Sequence, residues 1–174
     1  MAIDPLGDFA NRANTAIGDF RVTVTLSPDA LMAGEHAIPT LAWDFVSYGD
    51  GDQVDRVPAD KRGIYAFAVC QANDVLPPHG YILYIGIAGR KSNRPLRDRY
   101  KDYLNEKKVL KRASIAYMIG TWRQVLRFYF APVGDDVSSE DLETLEQQLN
   151  TALMPPFSKR DLKAEIRHMQ GAFG

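Results

Sequence analysis

Two tyrosines in apolar surroundings are the residues of this 174-residue chain whose type and spacing most clearly suggest chemistry. Tyr65 ends the tripeptide Gly63-Ile64-Tyr65, and Tyr84 begins the tripeptide Tyr84-Ile85-Gly86, 19 residues further along. A phenol, with a pKa of about 10, is a poor base at neutral pH, but it could orient or deprotonate a water if a metal ion and an arginine lowered that pKa. The ordinary alternative is that both tyrosines are core residues of strands. Gly63 and Gly86 remove side chains where the backbone could approach a neighbour or a ligand.

An acidic residue, Glu146, stands where packing alone would favour leucine. On a helix predicted over residues 138–154, it falls in one stripe with Leu142, Leu149 and Leu153. Burying an uncompensated carboxylate costs several kcal/mol. Glu146 should therefore have a bound metal, a donor network or a cation, and a salt bridge to one of the many arginines is an open alternative.

Arg99 and Tyr103 are four residues apart and project from one face of a helix predicted over residues 96–107. An arginine there can hold a phosphate in a bidentate clamp and stabilise charge during displacement at phosphorus. The alternative is a surface arginine beside an amphipathic tyrosine.

Charge is distributed unevenly along the chain, although the net charge is only −1. Residues 1–60 hold 3 basic and 10 acidic side chains, whereas residues 90–112 hold 10 basic and 3 acidic ones. The basic segment is a candidate phosphate-binding surface, and its alternative is a solvated, lysine-rich helix. The side chains that we expect to contact nucleic acid are Arg90, Lys91, Arg94, Arg97 and Lys101.

These residues need a scaffold, and the pattern predicts an α/β fold of the α+β kind. Apolar, β-prone runs predict three strands over residues 63–70, 81–87 and 125–131, forming a small, mostly antiparallel sheet flanked by helices. A further element is expected over residues 109–119. An acidic N-terminal extension over residues 1–60 is expected to pack on a main domain over residues 61–174. The extension should contribute a short helix at 6–17 and a strand at 20–26, and helical spacing recurs at 159–170.

The composition is that of a globular protein, with 45% hydrophobic and 25% charged residues. No apolar run approaches the length needed to span a bilayer, and the N-terminus lacks the pattern of a signal peptide. The single cysteine, Cys70, cannot form an internal disulfide and is expected to be a buried strand thiol. These features predict a cytoplasmic protein with no membrane association.

Together, these positions resemble the GIY-YIG nuclease superfamily, whose two name-giving tripeptides are present without change. The spacing is closest to the excision-repair nuclease branch, in which a Leu-x-x-Arg-x-x-x-Tyr helix follows, as at residues 96–103. Glu146 and Pro155 reproduce the family's glutamate and the proline nine residues later. Two positions depart from the family. Ser158 stands where an asparagine is common, and Ile87 stands where a lysine often follows the second tripeptide.

The resemblance implies a metal-dependent endonuclease that hydrolyses DNA phosphodiester bonds, with RNA not excluded. Tyr65 would be the general base or position the attacking water, and Tyr84 would orient a phosphate or a metal-bound water. Arg99 would stabilise the pentavalent phosphorane and Tyr103 would contact the phosphate. Glu146 would hold one Mg²⁺ or Mn²⁺. A protein partner or a homo-oligomer could supply specificity. The open alternatives are a catalytically inactive nucleic-acid-binding module and an interaction protein of nuclease ancestry.

Overall fold

The computed structural model describes residue 15 and residues 18–33, 35–71, 79–90 and 94–158. Within these ranges the fold is α+β, with a four-stranded antiparallel sheet flanked by helices. The helices predicted over residues 6–17 and 159–170 lie outside the described residues, apart from Thr15, and so does Lys91.

The sheet contains β1 (Asp44–Ser47), β2 (Gly63–Cys70), β3 (Gly80–Ala88) and β4 (Leu126–Pro132), in the order β1-β4-β2-β3. The three predicted strands are confirmed as β2, β3 and β4. The expected count of three is wrong, because β1 adds a fourth strand antiparallel to β4, with Phe45 opposite Tyr129. The main-domain boundary predicted at residue 60 therefore divides this sheet.

The strand predicted over residues 20–26 is wrong. Phe20 closes a 3₁₀ helix, Gly18–Phe20, and the following residues have no regular structure. Val24 and Leu26 are about half exposed, so the alternation that suggested a strand does not correspond to a buried face.

Among the described residues, five α-helices have defined bounds and flank the sheet: α1 (Pro28–Met32), α2 (Leu96–Leu104), α3 (Glu106–Val109), α4 (Ala113–Trp122) and α5 (Ser139–Leu153), with a 3₁₀ helix at Gly51–Arg56. The helix predicted over residues 96–107 breaks at Asn105. This residue ends α2, and its side chain accepts a hydrogen bond from the Lys108 amide of α3. The predicted helix over residues 138–154 is confirmed as α5, with Ser138 as its N-cap.

The two faces of the sheet build separate cores. Tyr65, Phe67, Tyr84 and Phe128 belong to one core, which includes residues of α2 and α4. Ile64, Ala66, Ile85 and Ile87 belong to the other, together with Leu142 and Leu145 of α5. The two tyrosines of the tripeptides therefore lie on one face of the sheet, and α5 packs on the opposite face.

The N-terminal extension contacts the same helix that carries Arg99 and Tyr103. The Tyr48 hydroxyl donates a hydrogen bond of 2.7 Å to the Tyr103 carbonyl oxygen, and the Gly49 amide donates one of 3.1 Å to the Tyr100 hydroxyl. Residues 44–49 thus help to hold α2 against the sheet.

Candidate active site

The tripeptide glycines allow close approaches around Tyr65. In the register of β2 and β3, Tyr65 lies opposite Gly86. A Cβ atom at Gly86 would lie 2.5 Å from the Tyr65 hydroxyl oxygen and 3.0 Å from Cε1 of Tyr84. A Cβ atom at Gly63 would collide with the Ala131 carbonyl oxygen of the neighbouring strand. Gly86 therefore makes room for the phenol, whereas Gly63 makes room for β4.

Two phenols and two guanidiniums form one hydrogen-bonded chain at this place. The hydroxyl oxygens of Tyr65 and Tyr103 are 2.8 Å apart. Arg99 donates its Nε–H to the Tyr65 hydroxyl at 2.9 Å, and Arg112 donates an Nη2–H to the Tyr103 hydroxyl at 3.1 Å. We call these four residues the phenol–guanidinium cluster.

Tyr84 packs beside the phenol–guanidinium cluster. Its ring centroid lies 6.2 Å from that of Tyr65 and 6.4 Å from that of Tyr103. Four of the five predicted catalytic residues, Tyr65, Tyr84, Arg99 and Tyr103, are thus brought together by β2, β3 and α2.

Burial and contacts within the cluster shift the pKa values of Tyr65, Arg99 and Arg112. Desolvation raises the pKa of Tyr65 well above its ordinary value, and the neighbouring phenols of Tyr103 and Tyr84 add to this, while the charge of Arg99 opposes it. For Arg99 and Arg112, burial lowers the pKa, but attraction to the phenols outweighs it and the pKa is raised. In the protein alone, the phenol of Tyr65 is therefore neutral at pH 7 and both arginines are charged.

The guanidiniums, rather than the phenols, face solvent. Tyr65 and Tyr103 are fully buried, whereas the Arg99 side chain is 30% exposed and Arg112 is half-buried. A ligand approaching from solvent meets the arginines first, and the phenols lie behind them.

Glu146 belongs to a second cluster. Its side chain is only 4% exposed, and it forms an ion pair with the guanidinium of Arg90, which follows the end of β3. The Arg90 Nε atom also lies 3.8 Å from a carboxylate oxygen of Glu143. The prediction that Glu146 is buried and compensated is confirmed, and in this structure the described partner is the arginine considered as an alternative.

The carboxylates of Glu146 and Glu143 fit a cation, because they already converge on one. Mg²⁺ is commonly held by one or two carboxylates together with waters and substrate phosphates. Among the described residues, no group of three or more His, Cys, Asp or Glu side chains is placed to hold a metal ion. A metal here would therefore depend on Glu146, with Glu143 nearby.

The expected nucleic-acid contacts have different surroundings. Arg97 donates hydrogen bonds to the carbonyl oxygens of Val57 and Asp55 at 2.7 and 2.6 Å and pairs with the Asp55 carboxylate at 3.0 Å. It therefore ties α2 to the extension, and its proposed contact with nucleic acid would have to break these bonds. Lys101 is exposed.

Asp102 forms ion pairs with several cations of the basic segment. Its carboxylate pairs with Lys108 at 2.6 Å, with Arg94 at 2.7 Å and with Arg99 at 3.9 Å. Burial raises the pKa of Asp102, but the hydrogen bonds from Lys108 and Arg94 outweigh this and the pKa is lowered. Asp102 orients α2 and was not singled out from the sequence.

The two departures from the family pattern have structural uses here. The buried Ser158 hydroxyl accepts a hydrogen bond from the Ile85 amide at 2.9 Å and donates one to the Ile85 carbonyl oxygen at 3.3 Å. It thus covers the edge of β3 in the middle of the second tripeptide. Ile87 is buried against the α5 side of the sheet.

Sequence reasoning missed Arg112 as a site residue. Arg112 was counted only as one cation of the basic segment. The helix predicted over residues 96–107 contained no break that would bring the side chain of Arg112 back to Tyr103. The break at Asn105 and the short α3 turn the chain back, and the guanidinium carbon of Arg112 lies 4.6 Å from the Tyr103 ring centroid. Asn105, as a possible N-cap inside a helical pattern, was the available signal.

Comparison with protein-family models matches no family, and comparisons with curated proteins and with solved structures find no similar protein. The resemblance to GIY-YIG nucleases therefore depends on the residues and their spacing. Among the described helices, none combines the length and apolarity needed to cross a membrane.

Proposed function

We propose that this chain is a metal-dependent endonuclease of the GIY-YIG type that hydrolyses DNA phosphodiester bonds. The observation that carries the proposal is the phenol–guanidinium cluster. Tyr65 lies in β2, whereas Arg99 and Tyr103 lie one turn apart in α2, and the three meet through hydrogen bonds of 2.8 and 2.9 Å beside Gly86. A solvent-facing guanidinium held rigidly by buried phenols is suited to a phosphate whose charge grows during displacement.

In the proposed reaction, Arg99 contacts the scissile phosphate and stabilises the phosphorane. Tyr65 positions that guanidinium by accepting its hydrogen bond from behind, and Tyr103 contributes through its hydroxyl, which holds the Tyr65 hydroxyl, and through its ring, which lies beside the guanidinium. Because burial keeps Tyr65 protonated in the protein alone, we favour positioning over general-base catalysis for this phenol. Tyr84 completes the wall of the site and orients the phosphate or a metal-bound water.

Glu146, with Glu143 beside it, would hold the single Mg²⁺ or Mn²⁺ in the place now taken by the Arg90 guanidinium. When bound, the ion supplies Lewis-acid polarisation of the phosphate and steadies the leaving 3′ oxygen. Arg90 has its own role in this scheme, since it compensates the buried carboxylate until the substrate complex forms.

The remaining features of the proposal concern the setting of the reaction. Lys101, Arg94 and Lys91 of the basic segment would guide the nucleic-acid backbone, while the small domain leaves sequence recognition to the extension, a protein partner or a homo-oligomer. We place the protein in the cytoplasm, where the free, buried thiol of Cys70 would stay reduced.

The role of Arg99 can be tested by comparing Arg99→Gln with Arg123→Gln. Arg123 is exposed at the end of α4 and serves as a charge-matched control. Loss of the transition-state donor should lower the single-turnover cleavage rate about 10²- to 10³-fold, while Arg123→Gln stays near wild type. Equal cleavage rates in the two variants would contradict the role given to Arg99.

A second candidate function is a nucleic-acid-binding module that does not cleave. It is favoured by one observation, the engagement of Glu146 by Arg90, which leaves the carboxylate compensated without a metal ion. This candidate predicts duplex binding that is unchanged by chelator and no strand cleavage with either Mg²⁺ or Mn²⁺.

A further inference from the structure

Arg112 stands at the start of α4 and reaches back over α2. Its carbonyl oxygen accepts hydrogen bonds from the amides of Ile115 and Ala116, each at 2.9 Å, which fixes its backbone at the first turn. Its side chain returns to Tyr103, nine residues earlier, through the 3.1 Å hydrogen bond. Backbone and side chain are therefore both held in place.

Two guanidiniums share one aromatic ring in this arrangement. The Cζ atoms of Arg112 and Arg99 lie 4.6 and 5.4 Å from the centroid of the Tyr103 ring. Attraction to the ring and hydrogen bonds to the phenol oxygens offset part of their mutual repulsion. The Tyr65 phenol, whose pKa is raised by burial, does not cancel the positive charge.

Within the described part of the chain, the cations around this site outnumber the carboxylates that pair with them. Arg94, Arg99 and Lys108 share the single carboxylate of Asp102, and its oxygen is 3.9 Å from Arg99. Among the described residues, no carboxylate lies within ion-pairing distance of Arg112. An excess of positive charge at a solvent-facing position favours an anion there.

The donors needed for an anion are also present. A guanidinium has five N–H groups, and each arginine gives one of them to a phenol in the bonds described above. The remaining N–H groups of the two guanidiniums, which both lie beside the Tyr103 ring, can donate to the oxygens of a phosphate, which accepts such bidentate contacts.

We propose that Arg112 is a second anion-binding residue of the site and that Arg99 and Arg112 together hold one phosphate group. The inference rests on the proposed function for the identity of that phosphate, which would be a phosphodiester of the nucleic-acid backbone. Tyr103 is the positioning residue between the two arginines.

The test is a titration of the ¹⁵N-labelled full chain with inorganic phosphate, in which binding is monitored through the Nε–Hε signals of the arginine side chains. We expect the signals of Arg99 and Arg112 to shift with one common Kd. Arg112→Gln should weaken that Kd, measured at Arg99, about tenfold, as expected for a lost charge-assisted hydrogen bond. Lys111→Gln, which removes an exposed charge from the adjacent residue, should change it less than about twofold.

An Arg112 signal that stays in place while the Arg99 signal shifts would overturn the proposal, as would equal weakening by Lys111→Gln and Arg112→Gln. If Arg112→Gln does not fold, the two wild-type signals decide the matter. The titration involves no cleavage, so its outcome is separable from the nuclease proposal. Phosphate binding at both arginines without cleavage of DNA would refute the nuclease alone, and cleavage with an unmoved Arg112 signal would refute only this inference.

Discussion

At the scale of single residues, the phenols act as supports for arginines. The sequence suggested a phenol with a lowered pKa, but burial dominates at Tyr65 and raises it. The site is therefore organised around charged guanidiniums that face solvent, with the buried hydroxyl groups of Tyr65 and Tyr103 behind them. A buried phenol is a good support for this purpose, because it accepts a hydrogen bond from the arginine without neutralising it.

The raised pKa of Tyr65 predicts how stability depends on pH. Above about pH 10, the unfolded chain releases the Tyr65 proton while the folded chain keeps it, so the free energy of unfolding should fall as pH rises. Below that pH, the contribution of Tyr65 to the free energy of unfolding is fully present. Burial also raises the pKa of Tyr48, to about 12, so it adds to the same slope.

Tyr65→Phe isolates the contribution of Tyr65 to the pH dependence of the free energy of unfolding. Urea unfolding between about pH 9 and 11 should show a slope that is shallower than wild type by up to about 1.4 kcal/mol per pH unit, the value for one proton. An identical slope in the two proteins would mean that Tyr65 titrates normally in the folded state.

Glu146 illustrates what a sequence can and cannot give at this scale. Its burial followed from its place in the Leu142–Leu149–Leu153 stripe, since helical periodicity is local information. The partner of Glu146 could not be predicted in the same way, because Arg90 is 56 residues away in the chain and ten basic residues of the segment were equally available. The pairing depends on β3 ending beside α5.

At the scale of elements, β2 and β3 are matched by the tripeptide glycines. Gly86→Ala places a methyl group 2.5 Å from the Tyr65 hydroxyl oxygen, so β3 or the phenol must shift. We expect a loss of about 1–3 kcal/mol in the free energy of unfolding, typical of overpacking in a well-packed core, and weaker cleavage because Arg99 loses its support.

Gly120→Ala is the matched control for this substitution. Gly120 lies in α4, and a Cβ atom there would meet nothing within 4 Å. The alanine should stabilise the helix by about 0.5–1 kcal/mol. Urea unfolding of both variants tests the account, and a Gly86→Ala protein as stable as wild type would show that the close approach is not required.

The strands β2, β3 and β4 and the helix α5 were predictable because the apolar runs and the cap that define them lie within or next to their own residues. The fourth strand, β1, was missed because its four residues, Asp44–Ser47, are half polar and gain their place only by pairing with β4. The strand predicted at 20–26 failed for the opposite reason. Its pattern is strong, but Val24 and Leu26 remain exposed rather than packing on a hydrophobic face.

At the scale of the whole molecule, the described part of the extension supports the candidate site. It supplies β1 and places Tyr48 against the backbone of Tyr103. Among the described ion pairs, one joins residues 1–60 to the basic segment, between Asp55 and Arg97. The charge asymmetry read from the sequence thus includes, in the described part of the chain, an ion pair that anchors α2 to the extension.

The molecule also separates its two chemical clusters. The phenol–guanidinium cluster lies on one face of the sheet, and α5 brings Glu146 from the other face to the end of β3, where it meets Arg90. We propose that the two clusters act together on one phosphate. Glu146 would provide the metal ligand, and the arginines would provide the charge.

The most direct measurement is the nicking of supercoiled plasmid by the wild-type chain with Mg²⁺ or Mn²⁺, beside Glu146→Gln and Glu140→Gln. Glu140 is an exposed acid in the first turn of the same helix and serves as the control. The account predicts cleavage that chelator abolishes, a Glu146→Gln rate lower by at least about 10²-fold, and a Glu140→Gln rate near wild type. Cleavage that persists in chelator, equal rates for the two variants, or no cleavage with either ion would contradict it.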